Sequence, residues 1–281
     1  MVCQRGALEA KALLLAASLR KFLPAEHDIV VALPQPASLW GTPAAATLAA
    51  LDRYGVRTAA TVNRISPDYP IGNKIDCLAI PTKCRKIVFL DSDILLLRAI
   101  DPAALAASPI AAVPASGTHV APGDWVRFYR VCGAPFPSIS MRTLVSGEPT
   151  PPYFNSGMVA VDTALAPALA DAWSECALRL LELSDLPMQV RNRFLDQVSL
   201  PIAAAKLGKM IAPLSPDWNF PSWSWDIAER PIPGFYHYRD LQKLFDERIT
   251  RDVFASLIES DHAMADAILA TATGATDERV D

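Results

Sequence analysis

What the chain lacks narrows its function before any motif is considered. No long block of lysine and arginine occurs, and 26 basic against 30 acidic residues give a formal net charge of −4. The electrostatic footprint of a nucleic-acid binder is therefore missing, although local basic spots can still hold phosphates. The five cysteines, at positions 3, 77, 84, 132 and 176, form no Cys-x-x-Cys pair and are too sparse for a disulfide framework, which points to a reducing compartment. No clean apolar run opens the chain. Charges are threaded through MVCQRGALEAKALLLAASLRK, unlike a secretory signal. Residues Pro102 to Gly123 carry no charge, but four prolines and many alanines make them a poor spanning helix, so no transmembrane segment is expected. A cytoplasmic location is the resulting expectation. Internal repeats and linkers are missing too. The 281 residues are 51% hydrophobic, enough to bury the core of a single domain, expected over residues 1–272 with a flexible tail over 273–281.

One short stretch is chemically loaded. Asp91 and Asp93 lie one residue apart between Ile87-Val88-Phe89-Leu90 and Ile94-Leu95-Leu96-Leu97. Carboxylates are almost never buried unpaired, so acids in so apolar a setting imply either a solvent-exposed turn or a bound cation. The first reading makes Lys86–Leu90 and Ile94–Arg98 a hairpin with its acids in water. Such three-residue loops favour glycine, and none is present, though aspartate tolerates the left-handed conformation. In the second, residues i and i+2 of an extended chain face the same way and converge on one oxygen-seeking ion, while Ser92 points elsewhere.

The surrounding pattern alternates. Leu8, Ala12, Leu15, Leu19 and Phe22 recur at helical spacing, predicting a helix over Ala7 to Phe22 with Glu9, Lys11 and Arg20 off its apolar stripe. A buried strand is expected over Asp28 to Leu33, a helix over Pro43 to Tyr54, a strand over Arg57 to Val62, and a helix from Asn73 before the strand ending at Asp91. The fold class is therefore α/β, with a mainly parallel central sheet flanked by helices. In such sheets ligands sit beyond the carboxyl ends of strands, where Asp91 and Asp93 fall. Only Met1 to Gly6 precede the first helix, so the usual opening strand is expected to be truncated or missing. Residues Pro114 to Pro152, rich in Pro, Gly and Ser with interspersed aromatics, read either as the wall of a substrate cleft or as an excursion filling a satellite core. Beyond them a strand over Gly157 to Val161, helices over Pro167 to Leu183 and Asn192 to Leu207, and a helical end over Asp240 to Ala272 are expected.

Five segments in this order resemble metal-dependent glycosyltransferases of the GT-A fold, most closely the glycosyltransferase family 8 and glycogenin group. They are Asn73-Lys74-Ile75-Asp76-Cys77, Val88-Phe89-Leu90-Asp91-Ser92-Asp93, Phe154-Asn155-Ser156-Gly157-Met158, Asp196-Gln197 and Tyr236-His237-Tyr238. The resemblance implies a hexosyltransferase that uses a UDP-linked nucleotide sugar, retains the sugar's configuration, and passes it to an acceptor that is a glycan, lipid, protein or small molecule. By that likeness Asp91, Asp93 and His237 hold Mn2+ or Mg2+. Lys74, Asn155, Ser156, Gly157 and Asp91 bind the donor, and Asp196 and Gln197 are the catalytic pair beside the anomeric carbon. The chemistry agrees, because a divalent ion stabilises the charge that develops on a departing diphosphate.

Two departures and two rivals accompany the resemblance. Tyr238-Arg239-Asp240 replaces the Gly and Lys-Pro-Trp segment that touches phosphate in that group, so Arg239 or Lys243 would substitute. No self-glycosylated tyrosine can be assigned. A haloacid-dehalogenase-type phosphatase also carries Asp-x-Asp after an apolar strand, its first Asp the nucleophile, but opens its domain with that motif and has Thr or Val where Leu95 stands here. A non-catalytic nucleotide-sugar-binding protein would keep the same pocket without the reaction.

Overall fold

The computed structural model describes residues 1–225, 230–242, 244, 247–262 and 264–268. In chain order its elements are α1 (Ala7–Phe22), β1 (Val30–Gln35), α2 (Ala37–Trp40), α3 (Ala45–Arg53), β2 (Arg57–Val62), β3 (Lys86–Leu90), β4 (Ile94–Leu96), β5 (Ile110–Pro114), α4 (Pro122–Val131), β6 (Met141–Arg142), β7 (Pro149–Thr150), β8 (Phe154–Asp162), α5 (Ala166–Leu181), α6 (Leu195–Lys206), β9 (Ala212–Pro213), β10 (Phe220–Pro221), β11 (Phe235–His237) and α7 (Arg248–Ser260). They divide into two compact units. One comprises residues 1–62, 90–101 and 217 onward, the other residues 63–89 and 102–216.

In the first unit, α1 covers the residues its apolar spacing predicts, but it is buried well beyond one stripe: Ala10 and every residue from Ala12 to Leu19 are buried. Glu9, expected off that stripe, is buried as well. Its carboxylate accepts hydrogen bonds from the Gly6 N–H at 3.0 Å, the Ala44 N–H at 2.7 Å and the Thr47 hydroxyl at 2.6 Å. It thereby satisfies donors at the starts of two helices, where negative charge is favoured. Strands β1 and β2 pair in parallel, and Val2 makes a single parallel bridge to Ala32, the only pairing of the residues ahead of α1 among the described residues. Strand β11 runs antiparallel to β4 and parallel to β10. Helix α1 is tied to β4 through Ser18, whose Oγ accepts from the Leu96 N–H at 3.2 Å.

The second unit is built on a sheet of order β3-β8-β5-β9. Every residue of β8 from Phe154 to Val161 is buried, as expected of an interior strand covered on both faces. Helices α5 and α6 pack on one another, and a 3-10 helix over Pro70–Ala79 packs on α5. Trp173, Leu169 and Leu180 of α5 and Val198 and Ile202 of α6 are fully inaccessible, each such side chain contributing roughly 1.5–3 kcal/mol.

One expectation is corrected, and two open readings are narrowed. The sheets are mixed rather than mainly parallel, since β5 runs antiparallel to β8 and parallel to β9. The cause is the segment between β5 and β8: it contains α4 and the β6–β7 ribbon and returns the chain in the opposite direction, where a simple helical crossover would have kept it parallel. That same segment is not an irregular loop. Trp125, Phe128 and Tyr129 are buried at spacings of three and four along α4, a helical signal hidden among prolines and glycines. Finally, β3 and β4 belong to different sheets, so Asp91-Ser92-Asp93 is not a hairpin tip. The expected helical end is observed as α7, while residues 269–272 and the tail 273–281 lie outside the described residues. Among the described residues no helix is long and apolar enough to cross a membrane.

Candidate active site

The candidate residues fall into two polar clusters, one in each unit. In the first, the chain leaves β3 at Leu90 and enters β4 at Ile94, placing Asp91, Ser92 and Asp93 between two regular strands. Ser92 is buried and its hydroxyl donates to the Val2 carbonyl, which turns it away from its acidic neighbours. The register of β11 on β4 sets His237 opposite Ile94, and the Tyr238 N–H donates to the Asp93 carbonyl at 3.0 Å. The two strands therefore bring an imidazole to the acid pair. One ligand atom from each of Asp91, Asp93 and His237 lies within 4.8 Å of the others. Facing ligands around one divalent ion stand about 4–5 Å apart at bond lengths of about 2.0–2.5 Å, so the three fit a single coordination sphere.

The surroundings favour that reading. His237 is 5% exposed, with Nδ1 2.9 Å from the side-chain oxygen of Asn219. An amide oxygen only accepts, so Nδ1 carries a proton and Nε2 is the ring nitrogen turned toward Asp93, 3.2 Å from a carboxylate oxygen. A proton or a cation shared between Nε2 and the carboxylate accounts for so close an approach. Burial would raise the Asp93 pKa, but His237 and Lys11, the latter 3.7 Å away, hold it well below the usual carboxylate range. Trp223 packs edge-on against the imidazole with centroids 5.1 Å apart and is itself covered by the Arg239 guanidinium at 3.5 Å. Arg239 is thus stacked on an indole, and Lys243 lies outside the described residues.

The second cluster centres on Asp196, in the first turn of α6 and 2% exposed. Lys74, on the Pro70–Ala79 turn, sets its ammonium 2.8 Å from Asp196 Oδ2 and 3.3 Å from Ser156 Oγ. Ser156 donates to the same carboxylate oxygen, and the Tyr69 hydroxyl donates to Oδ1 at 2.7 Å. Burial pushes the Asp196 carboxyl up, but the Lys74 charge and the three donors outweigh it and leave its pKa lowered. Lys74 is therefore no solvated lysine; it is the counter-ion of a buried acid. Asn155 accepts from the Gly157 N–H at 2.8 Å, and Phe154-Asn155-Ser156-Gly157 lies within β8 rather than in a turn before it. Gln197 follows Asp196 on α6 and is half-buried.

Lys74, Ser156 and Asp196 thus meet in one cluster, and Asp91, Asp93 and His237 in the other. Sequence reasoning missed Tyr69 and Asn219. Asn219 did carry a signal, a polar side chain between Trp218 and Phe220, the same kind of anomaly that drew attention to the acid pair. Tyr69 carried none, because its role arises from a meeting with Asp196 across 127 positions.

The model of the Rhodobacterales glycosyltransferase domain matches residues 1–208 of this chain. The chain belongs to that family. It is accordingly a glycosyltransferase, and the phosphatase and non-catalytic alternatives fall away. Within this glycosyltransferase the matched stretch includes Lys74, Asp91, Asp93, Asn155, Asp196 and Gln197 and stops short of Asn219 and His237. No curated protein matches. Among solved structures, the apo form of mouse xyloside xylosyltransferase 1 aligns at 16% identity and a TM-score of 0.47, over 84% of this chain and 95% of that one. The apo bifunctional glycosyltransferase WbbM aligns at 12% identity and a TM-score of 0.47, over 90% of this chain and 50% of that one, so the glycosyltransferase spans about half of WbbM.

Proposed function

We propose that this glycosyltransferase, on a GT-A-type fold, transfers a hexose from a UDP-linked nucleotide sugar to an acceptor with retention of configuration and with Mn2+ as cofactor. The observation that carries this reading is the convergence of Asp91, Asp93 and His237 within 4.8 Å, with Asn219 fixing the imidazole tautomer. A mixed carboxylate and imidazole set suits Mn2+ better than Mg2+. An ion held there supplies positive charge against the departing diphosphate as its charge develops. Asp91 takes part in both metal and donor binding. Lys74, Asn155, Ser156 and Gly157 are the residues we assign to donor binding, and Gln197 to the catalytic pair with Asp196. The Asp196 carboxylate already accepts from Lys74, Ser156 and Tyr69, so it works chiefly by holding those groups in place. The five ordered motifs support kinship with the family 8 and glycogenin group.

A thermal-shift panel of nucleotide sugars with and without Mn2+ tests the reading, because a ligand bound only by the native state raises the melting temperature. The expected result is a shift with one UDP-hexose that requires Mn2+. An equal shift without metal, or no shift with any UDP-sugar, would refute the metal-assisted mechanism.

A further inference from the structure

The second unit contains a pocket of about 320 Å³ that none of the proposed donor-binding residues line. It lies at the low end of the range typical of small-molecule sites, about 300–1,000 Å³, which suits one ring or a short chain rather than a whole nucleotide sugar. Tyr129 forms part of its wall and meets Phe136 edge-to-face with centroids 5.3 Å apart. Phe136, Ile139 and Met210, which also line it, are exposed by 46%, 48% and 68%. Three large apolar side chains kept in water around one concavity mark a binding surface rather than scattered surface residues. The wall is stiff as well. Pro135, Pro137 and Pro152 fix their own backbone φ, so little ordering entropy remains to be lost when a ligand enters.

Its place in the fold says what the ligand is for. Pro201, Ala204 and Ala205 of α6 line the pocket, and the same helix carries Asp196 and Gln197 in its first turn. At 1.5 Å per residue, Pro201 to Ala205 lie roughly 7–14 Å along the axis from Asp196. Pro152 is three residues before Asn155, at most about 11 Å of extended chain. The pocket is thus attached to two elements that bear the proposed donor-sugar residues. Charge narrows the ligand further. The lining includes Lys209 and no carboxylate, and among the described residues the exposed Lys209 ammonium has no ion-pair partner.

We infer that this pocket seats the apolar part of the acceptor, a short alkyl or aryl group adjoining an anionic head that Lys209 attracts. The inference rests on the proposed transfer reaction for its biological meaning, but its binding test does not. The fluorescent probe anilinonaphthalene sulfonate, apolar and anionic, is titrated into the full chain without metal or nucleotide sugar. Saturable binding at one site is expected. Ala205→Trp, which fills the cavity, is expected to weaken it at least tenfold, and Lys209→Glu about three- to tenfold. Met188→Ser, which removes an exposed methionine outside the pocket, is expected to leave it unchanged. Circular dichroism verifies folding, and Lys209→Glu alters an exposed side chain, so a failure of Ala205→Trp to fold leaves the test intact. Binding unaffected by Lys209→Glu, or lost equally in Met188→Ser, overturns the inference. So does a dimer that Lys209→Glu or Ala205→Trp converts to monomer, which would give the face to a second copy. In the coupled assay, octyl glucuronide is expected to accept sugar faster than methyl glucuronide, with the difference abolished by Ala205→Trp and both rates lowered by Lys209→Glu. UDP release into water without preference between these acceptors refutes the pocket's role while the transfer reading stands. Probe binding without any UDP-sugar turnover supports the pocket and refutes the transfer reading.

Discussion

The two carboxylate clusters are opposites in construction. Asp196 is 2% exposed, with an ammonium at 2.8 Å and hydroxyls on both oxygens. Asp93 has a side chain 23% exposed, faces its lysine from 3.7 Å, and has the Nε2 of His237 3.2 Å away. One cluster is closed and satisfied by the protein's own groups. The other is more open, and brings two carboxylates and an imidazole within 4.8 Å of one another. An acid buried among its own donors holds a framework in place, whereas converging ligand types on a more accessible site suit an exchangeable cation. Residue type alone does not separate these cases; the donors around each carboxylate do.

The sharpest way to break the comparison is to neutralise one acid in each cluster. Asp93→Asn is expected to lower Mn2+-dependent turnover of UDP-sugar by about 10²–10³-fold, the scale of losing one group that stabilises developing charge, with melting temperature little changed. Release of UDP at the wild-type rate by a folded Asp93→Asn protein would remove the metal from the mechanism. Asp196→Ala should do the reverse and strike stability first. It strands the Lys74 ammonium, which is 7% exposed, and removing one partner of a buried pair costs about 3–5 kcal/mol. Urea unfolding measures that loss. Lys74→Met combined with Asp196→Leu should recover most of the stability and none of the activity, as expected of a framework whose polar groups are kept for function.

A subtler change separates the imidazole from the acids it accompanies. Asn219→Leu leaves all three candidate ligands in place but frees the His237 ring to choose its tautomer. Loss of such an outer hydrogen bond typically costs 10–100-fold in metal affinity. Calorimetric titration with Mn2+ should show that loss, and Asn219→Gln or Asn219→Asp should restore part of it. Unchanged affinity in Asn219→Leu would mean the imidazole does not ligate.

How much of this was legible in the sequence depended on distance along the chain. Helix α1 and strand β2 were readable because their signals are local: apolar spacing in Ala7–Phe22, and a short segment with Thr58, Thr61 and Val62 following the helix stop at Gly55. The acid pair was readable because two charges in an apolar run need an explanation. Strand direction was not, since whether β8 runs with or against β5 is set by how residues 115–153 between them fold, and α4 there was masked by flanking prolines. Nor was the Lys74–Asp196 pairing, which joins residues far apart whose separate patterns look like a helix front and a helix surface. Glu9 failed for a related reason: periodicity placed it off the stripe, but the donors at the start of α3 are tertiary neighbours.

The smallest effect expected is in the response to acid, and it probes the closed cluster alone. The folded pKa of Asp196 is lowered, so the folded state binds its proton less readily than the unfolded chain does. Its stabilising contribution is therefore fully present above the ordinary aspartate pKa of about 3.9, and is lost as pH falls below that toward the folded value. Asp196→Asn keeps the shape, removes the titration and leaves Lys74 without its counter-charge. The gap in unfolding free energy between wild type and Asp196→Asn should be constant from pH 7 to about pH 5 and narrow steadily below about pH 4, as protonation turns wild-type Asp196 into a neutral group resembling its replacement. A gap that holds its size down to pH 3 would mean that the folded and unfolded states take up the proton alike, so that the folded pKa is not lowered. A gap that opens as pH falls would mean the Lys74 ammonium does not stabilise the carboxylate at all, and the closed cluster would lose the property that sets it apart from Asp93.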